Sequence, residues 1–238
     1  MTSTEAMTQW SKAPAVREDA LHILLVRHGE TDANRDRIAQ GHRPTSLNAL
    51  GRRQAALVAR RLAAFAPPIE LIISSDLPRT MQTAAPLAER LGLSVQYDPA
   101  WRERCYGIFE GKGPKQRDEI RARYNLGPHD TPPGAQTRDA FHAGIRTALL
   151  RLVDASAGRR CVAVVTHGGA CNAVAMMLSD GRLPAAADNA TPAEFNCPNA
   201  SVTHLIHRVT DAGPEYRYGC VFDVQHLEGA TVTNLDCG

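Results

Sequence analysis

Leu24-Leu25-Val26-Arg27-His28-Gly29-Glu30-Thr31 changes character at a single point. An apolar run from Leu21 to Val26 has the continuous pattern of a strand buried on both faces, and it stops at Arg27-His28-Gly29. A second run, Cys161-Val162-Ala163-Val164-Val165-Thr166, stops at His167-Gly168-Gly169 and passes into a helix-like stretch from Ala170 to Leu178. Open parallel sheets carry their ligand sites at the carboxyl ends of such strands. Two buried strands therefore deliver a histidine followed by glycine to the same kind of place.

Working outward, Leu47 to about Phe65 reads as an amphipathic helix stopped by Pro67-Pro68. Ile69 to Ser74 reads as a strand, and Pro78 to Leu91 as a helix capped by Ser75 or Asp76 and ended by Gly92. Ser94 to Tyr97 is a short strand, and Thr137 to Ala155 a helix with Phe141, Ile145, Leu149 and Leu152 on one side. Asp32 to Pro44 looks irregular, and Asp180 to Pro198 looks like a connection. Ala200 to Ile206 and Cys220 to Val224 read as two edge strands. The alternation predicts one α/β domain over residues 21–238, with a mainly parallel sheet flanked by helices on both faces. Residues 1–20, which lack apolar periodicity, are expected to be a flexible N-terminal extension. Residues 104–134, rich in charge, Gly and Pro, are expected to cover the strand ends.

Composition narrows the class. At 238 residues, 43% hydrophobic and 22% charged, the chain has ordinary globular proportions. A net charge of +2 argues against a broad nucleic-acid-binding surface. Lys112, Lys115, Arg117, Arg121 and Arg123 are interleaved with Asp118 and Glu119, so they read as a solvated helix face rather than an anion funnel. Six scattered cysteines form no Cys-x-x-Cys pair and suit a reducing compartment. With no apolar run of membrane length and no signal-like start, a cytoplasmic protein with no membrane partner is expected, as monomer or homodimer.

The joint pattern resembles the histidine phosphatase superfamily, which includes the cofactor-dependent phosphoglycerate mutases and many small phosphomonoesterases. The resemblance rests on Leu25-Val26-Arg27-His28-Gly29-Glu30-Thr31, on Asn34, on Ser74-Ser75-Asp76-Leu77-Pro78-Arg79-Thr80, on Glu103 before Tyr106-Gly107 and Glu110-Gly111, and on Thr166-His167-Gly168-Gly169. It spans roughly Leu21 to Leu227. Taken singly, each histidine would read as structural and Arg79 as an ordinary helix-face cation. Together, and in the family's order, they imply a phosphoglycerate mutase-like fold and a phosphoryl-transfer site.

The chemistry fits those residue types. A phosphate ester repels nucleophiles through its negative oxygens, so a catalyst must neutralise them and hold the attacking atom in line. Arg27 and Arg79 offer planar, permanently charged forks for phosphate, with His167 as a further donor at a helix start. His28 is the expected nucleophile, forming a phosphohistidine. The resemblance implies Glu103 as general acid and base, a role that spacing alone would not separate from Asp118, Glu110 or Glu119. It also places Asn34 and Gly168 near the phosphoryl group and Thr31, Arg104 and Tyr106 near the substrate. No His, Cys, Asp or Glu set has metal-ligand spacing, so no metal is expected.

A phosphomonoesterase acting on a small phosphorylated metabolite is the first reading, because the short span from Glu103 to His167 resembles the phosphatase branch. Mutases carry a longer insertion there that excludes water. The runner-up is a phosphoglycerate mutase, which would need 2,3-bisphosphoglycerate as cofactor, since Glu103-Arg104-Cys105-Tyr106-Gly107 is similar to the mutase pattern. The third is a phosphate-binding regulatory member without chemistry. One departure is Arg43-Pro44-Thr45-Ser46-Leu47, where the family has an Asp and a Pro.

Overall fold

A computed structural model describes residues 20–186 and 195–227. The expected flexible extension at 1–20 and the middle of the Asp180–Pro198 connection lie outside the described residues, apart from their ends. Six strands form one sheet in the order β3-β2-β4-β1-β5-β6. They are β1 Leu21–Arg27, β2 Leu71–Ser74, β3 Val95–Tyr97, β4 Cys161–Thr166, β5 Val202–Thr210 and β6 Gly213–Asp223. The first four positions in that order run parallel, whereas β5 lies antiparallel between β1 and β6. The edges are thus β3 and β6, and the expectation that Ala200 to Ile206 forms an edge is corrected.

Strand alternation divides the core in two. Ile23, Leu25, Ile73, Val162 and Val164 face α5 (Arg138–Ala155) and α6 (Gly168–Ser179). Leu24, Val26, Ile72, Ala163 and Val165 face α2 (Ala49–Leu62) and α3 (Pro78–Leu91). With β1, β2 and β4 buried on both sides, their residues are apolar except His22 and, at the strand ends, Arg27, Ser74 and Thr166. Each fully buried aliphatic side chain contributes roughly 1.5–3 kcal/mol, which is what holds the strand ends in fixed register.

That register positions the site. Arg27 pairs with Thr166 and Ser74 with Val165, so the chain leaves three adjacent parallel strands at one edge. There His28 N–H donates to Thr166 O (2.9 Å) and Ser75 N–H to Val165 O (2.9 Å). Gly29 has no room for a side chain: a Cβ would sit 2.4 Å from the Gly51 carbonyl oxygen in the first turn of α2.

Three local features differ from the sequence reading. Residues Asp32–Arg35 form a one-turn helix, α1, capped by Thr31. Pro114–Tyr124 form α4, which buries none of its residues and so shows no apolar period. The N-cap of α3 is Leu77, with no side-chain cap, because Asp76 pairs with Arg102 and Ser75 is used elsewhere.

Candidate active site

His28 is buried, with 3% exposure, and its Nδ1–H donates to Gly29 O at 2.7 Å. That bond fixes the tautomer and leaves Nε2 bare. Burial, followed by the charges of Arg79 and Arg27, holds its pKa well below 6.5, so the ring is neutral at physiological pH. A neutral imidazole with one unprotonated nitrogen is the form that can attack phosphorus.

Arg79 comes from the first turn of α3 and is 1% exposed. Its Nε donates to His167 Nδ1 (3.2 Å), Nη1 to Arg43 O (3.1 Å) and Thr45 Oγ1 (3.2 Å), and Nη2 to Gly41 O (2.8 Å). Desolvation lowers its pKa to about 10, against the opposing pull of Glu103, so it remains charged. The loop that departs from the family pattern thus still supplies two acceptors to this guanidinium. Arg27 donates from Nη1 to Cys197 O, while its Nε is buried without a partner. An anion arriving between these arginines would relieve that desolvation.

His167 lies 5.3 Å from His28, ring centre to ring centre, and is fully buried. Because Nδ1 accepts from Arg79, Nε2 carries the proton and donates to Ser75 Oγ at 2.9 Å. Burial first, then Arg79, holds its pKa well below 6.5. Glu103 sits at the rim: Arg104 N–H donates to Oε1 (2.9 Å) and Gly169 N–H to Oε2 (3.0 Å). His42 Nε2 bonds to the Glu103 carbonyl at 2.8 Å, which ties the segment to the loop after α1.

Arg27, His28, Asn34, Arg79, Glu103, Arg104 and Tyr106 line one solvent-open cleft of about 130 Å³. Asn34 Oδ1 accepts from Thr31 and Asn199, leaving Nδ2 as the free donor. Arg104 stacks 4.9 Å over the Tyr106 ring. Thr31, Gly168 and His167 are not among the residues that line the cleft; His167 lies buried behind His28 and Arg79. Thr31 caps α1 and hydrogen-bonds Asn34 and Gln40, and Gly168 is the buried first residue of α6. Among the described residues, no group of three or more His, Cys, Asp or Glu could hold a metal ion, and no helix is long and apolar enough to cross a membrane.

Sequence reasoning gave no role to His42 or Asn199, read Ser75 only as a possible helix cap, and weighed Glu110 only as an alternative to Glu103. Asn199 Nδ2 donates to His28 O (3.0 Å), and Glu110 Oε1 accepts from the N–H groups of His42 (3.1 Å) and Tyr106 (3.0 Å). Asn199 reaches the site only because β5 is antiparallel, so that its beginning lies beside the end of β1.

A model of the histidine phosphatase superfamily (branch 1) matches residues 23–216. The chain belongs to this superfamily. Among its relatives, phosphoglycerate mutase-like protein 4 of Arabidopsis thaliana is 39% identical over 158 residues, covering 63% of this chain and 68% of that protein. Glucosyl-3-phosphoglycerate phosphatase of Mycobacterium tuberculosis is 34% identical over 197 residues, covering 78% and 85%. The solved structure of mycobacterial glucosyl-3-phosphoglycerate phosphatase superposes with a TM-score of 0.69 at 28% identity, covering 86% of this chain and all of that one. The chain therefore has proteins named as phosphatases and as mutase-like among its relatives.

Buried neutral histidines should make the protein acid-sensitive. In the fold His28 and His167 resist protonation, as does His204, whose pKa burial lowers to about 3. An unfolded histidine takes a proton below about pH 6.5, so the unfolded chain binds more protons there and stability falls as pH drops through that point. The three histidines act in the same direction, so the loss should steepen as pH falls below about 6.5. Thermal melts should show full stability above about pH 7 and a steep loss by about pH 5.5; a level melting temperature across that range would contradict the burial argument.

Proposed function

We propose that the protein is a phosphomonoesterase that hydrolyses a small phosphorylated metabolite through a phosphohistidine on His28. The observation that carries this reading is the bare, neutral Nε2 of His28 set between two arginines in a cleft open to water. The Nε2 lone pair attacks phosphorus while the bond to the leaving oxygen breaks, and Glu103 gives that oxygen a proton. The imidazolium so formed keeps its Nδ1–H on Gly29 O, which stabilises the new positive charge. Water then attacks phosphorus as the Glu103 carboxylate takes its proton, and the P–N bond breaks to restore the neutral ring. Arg27, Arg79 and the Asn34 amide hold the equatorial oxygens. Exchange of Ser75 Oγ for a phosphoryl oxygen would let the same His167 Nε2–H donate to the transferring group. The scheme uses neither metal nor organic cofactor.

Relatives named as phosphatase and as mutase-like leave transfer to a second hydroxyl as the competing outcome. The openness of the cleft favours hydrolysis, since water has access to the phosphohistidine. A phosphate-release screen over small phosphoesters, with and without 2,3-bisphosphoglycerate, tests the choice. Release without that compound is expected. Isomerisation that depends on it would make the protein a mutase, and binding without turnover a regulatory member.

Gly169 gives a narrower test of the Glu103 role. A Cβ there would fall 2.1 Å from Glu103 Oε1, while Ala is otherwise favoured over Gly in a helix. Gly169→Ala should keep or raise the melting temperature and cut kcat on an alkyl phosphate by about 100-fold. An unchanged kcat would mean that the carboxyl position is unimportant.

A further inference from the structure

We propose that the cleft holds a second anion subsite, formed by Arg37, Arg117, Arg121 and Arg138, and that the substrate is a phosphomonoester carrying a second phosphoryl-type group. This deepens the phosphomonoesterase reading and rests on it for the scissile end only. Seven arginines line the cleft, against two carboxylates, Glu103 and Asp130. A phosphate monoester dianion meets Arg27 and Arg79 at the floor, and about three positive charges then remain without a counter-ion.

Neither carboxylate forms an ion pair with an arginine of the cleft. Glu103 is held by backbone N–H groups, and Asp130 Oδ2 accepts from Gly127 N–H at 2.7 Å. Among the described residues, Arg37, Arg104, Arg117, Arg121 and Arg138 make no ion pair. Arg104 is stacked on Tyr106 beside Glu103, which assigns it to the reacting end. The other four belong to the mouth, from the loop after α1, from α4 and from the start of α5.

Arg117 and Arg121 are half-buried in the cleft wall, while Arg37 and Arg138 are exposed. Arg121 donates from Nη1 to Gly127 O (2.7 Å) and lies 5.0 Å over the Phe109 ring, so its guanidinium is held in place before any ligand arrives. Arg117 Nε is buried without a hydrogen-bond partner, a cost that an anion would remove. Arg37 sits at φ 54, a left-handed conformation that a non-glycine residue adopts only where its surroundings require it. As a solvated basic face should, α4 buries nothing in the core, and from it Arg117 and Arg121 also form part of the cleft wall. Four guanidiniums exceed what one carboxylate would need and match a dianion.

The test is calorimetric, and it does not depend on turnover. Butane-1,4-bisphosphonate should bind the intact protein at least about tenfold more tightly than butylphosphonate, with the advantage shrinking as salt is added. In Arg117→Gln/Arg121→Gln the advantage should fall to within about twofold, while butylphosphonate binding changes by less than about twofold. Arg117→Gln alone removes a buried Nε that has no hydrogen-bond partner and should remove about threefold or more of the advantage. Equal affinities in the wild type, or a double variant that weakens both ligands alike, would overturn the subsite. Butyl phosphate hydrolysis by the same preparation reports separately on the phosphatase reading. Its absence with the bisphosphonate preference intact would sink the enzymatic claim and support the subsite.

Discussion

His28→Ala should lower kcat on any phosphomonoester by about 10⁴-fold or more without unfolding the protein. The side chain donates one hydrogen bond, to the adjacent Gly29 carbonyl. The contacts that tie this loop to its surroundings belong to the His28 backbone instead: its N–H reaches Thr166 O, and its carbonyl accepts from Asn199 Nδ2 and Ala200 N–H. Alanine keeps all three. Because the lost ring is a buried group that must stay neutral, the variant should also be less acid-sensitive than the wild type. Steady-state phosphate release, paired with melting curves at two pH values, reads both effects. A folded variant with more than about a tenth of wild-type turnover would remove His28 from the mechanism.

Glu103→Gln should show a loss that depends on the leaving group. With an alkyl phosphate the departing alkoxide needs a proton, and removing the general acid typically costs about 10²–10⁴-fold. With p-nitrophenyl phosphate the leaving oxygen departs without one, so kcat/KM, which reports the steps up to phosphoryl capture, should fall by about tenfold or less. The substitution is not silent structurally. Both carboxylate oxygens accept backbone N–H groups, and an amide nitrogen must turn away from one of them. That disturbance would act on both substrates alike, so the ratio between them isolates proton donation. Equal losses would assign Glu103 to holding Arg104 and Gly169 rather than to acid catalysis.

Which parts of this molecule were legible in its sequence follows from burial. The strands ending at Arg27-His28 and Thr166-His167 are buried on both faces, so an unbroken apolar run announced each, and their histidines marked the sheet edge. The helix Pro78–Leu91 was legible from end to end because proline opens it and Gly92, at φ 64, closes it. By contrast α4 buries nothing and leaves no period, and the first half of β6, Gly213 to Gly219, is a partly exposed edge that reads as loop. Glu103 could be chosen among neighbouring carboxylates only by family resemblance, since what distinguishes it is the amide of Gly169, 66 residues away in sequence. The roles of Ser75 and Asn199 were invisible for a related reason. Each residue acts through a hydrogen bond to a residue just past the end of another strand, and only the register of the sheet brings them together.

The most direct test of a phosphoryl group passing through His28 Nε2 is to mix enzyme with a turned-over phosphoester, quench in alkali within the first turnovers, and map the attached phosphate by mass spectrometry. An acid-labile, alkali-stable phosphate on the peptide containing His28, absent from His28→Ala, is the predicted result. Phosphate on another residue, or rapid turnover with no protein-bound phosphate at any quench time, would contradict it.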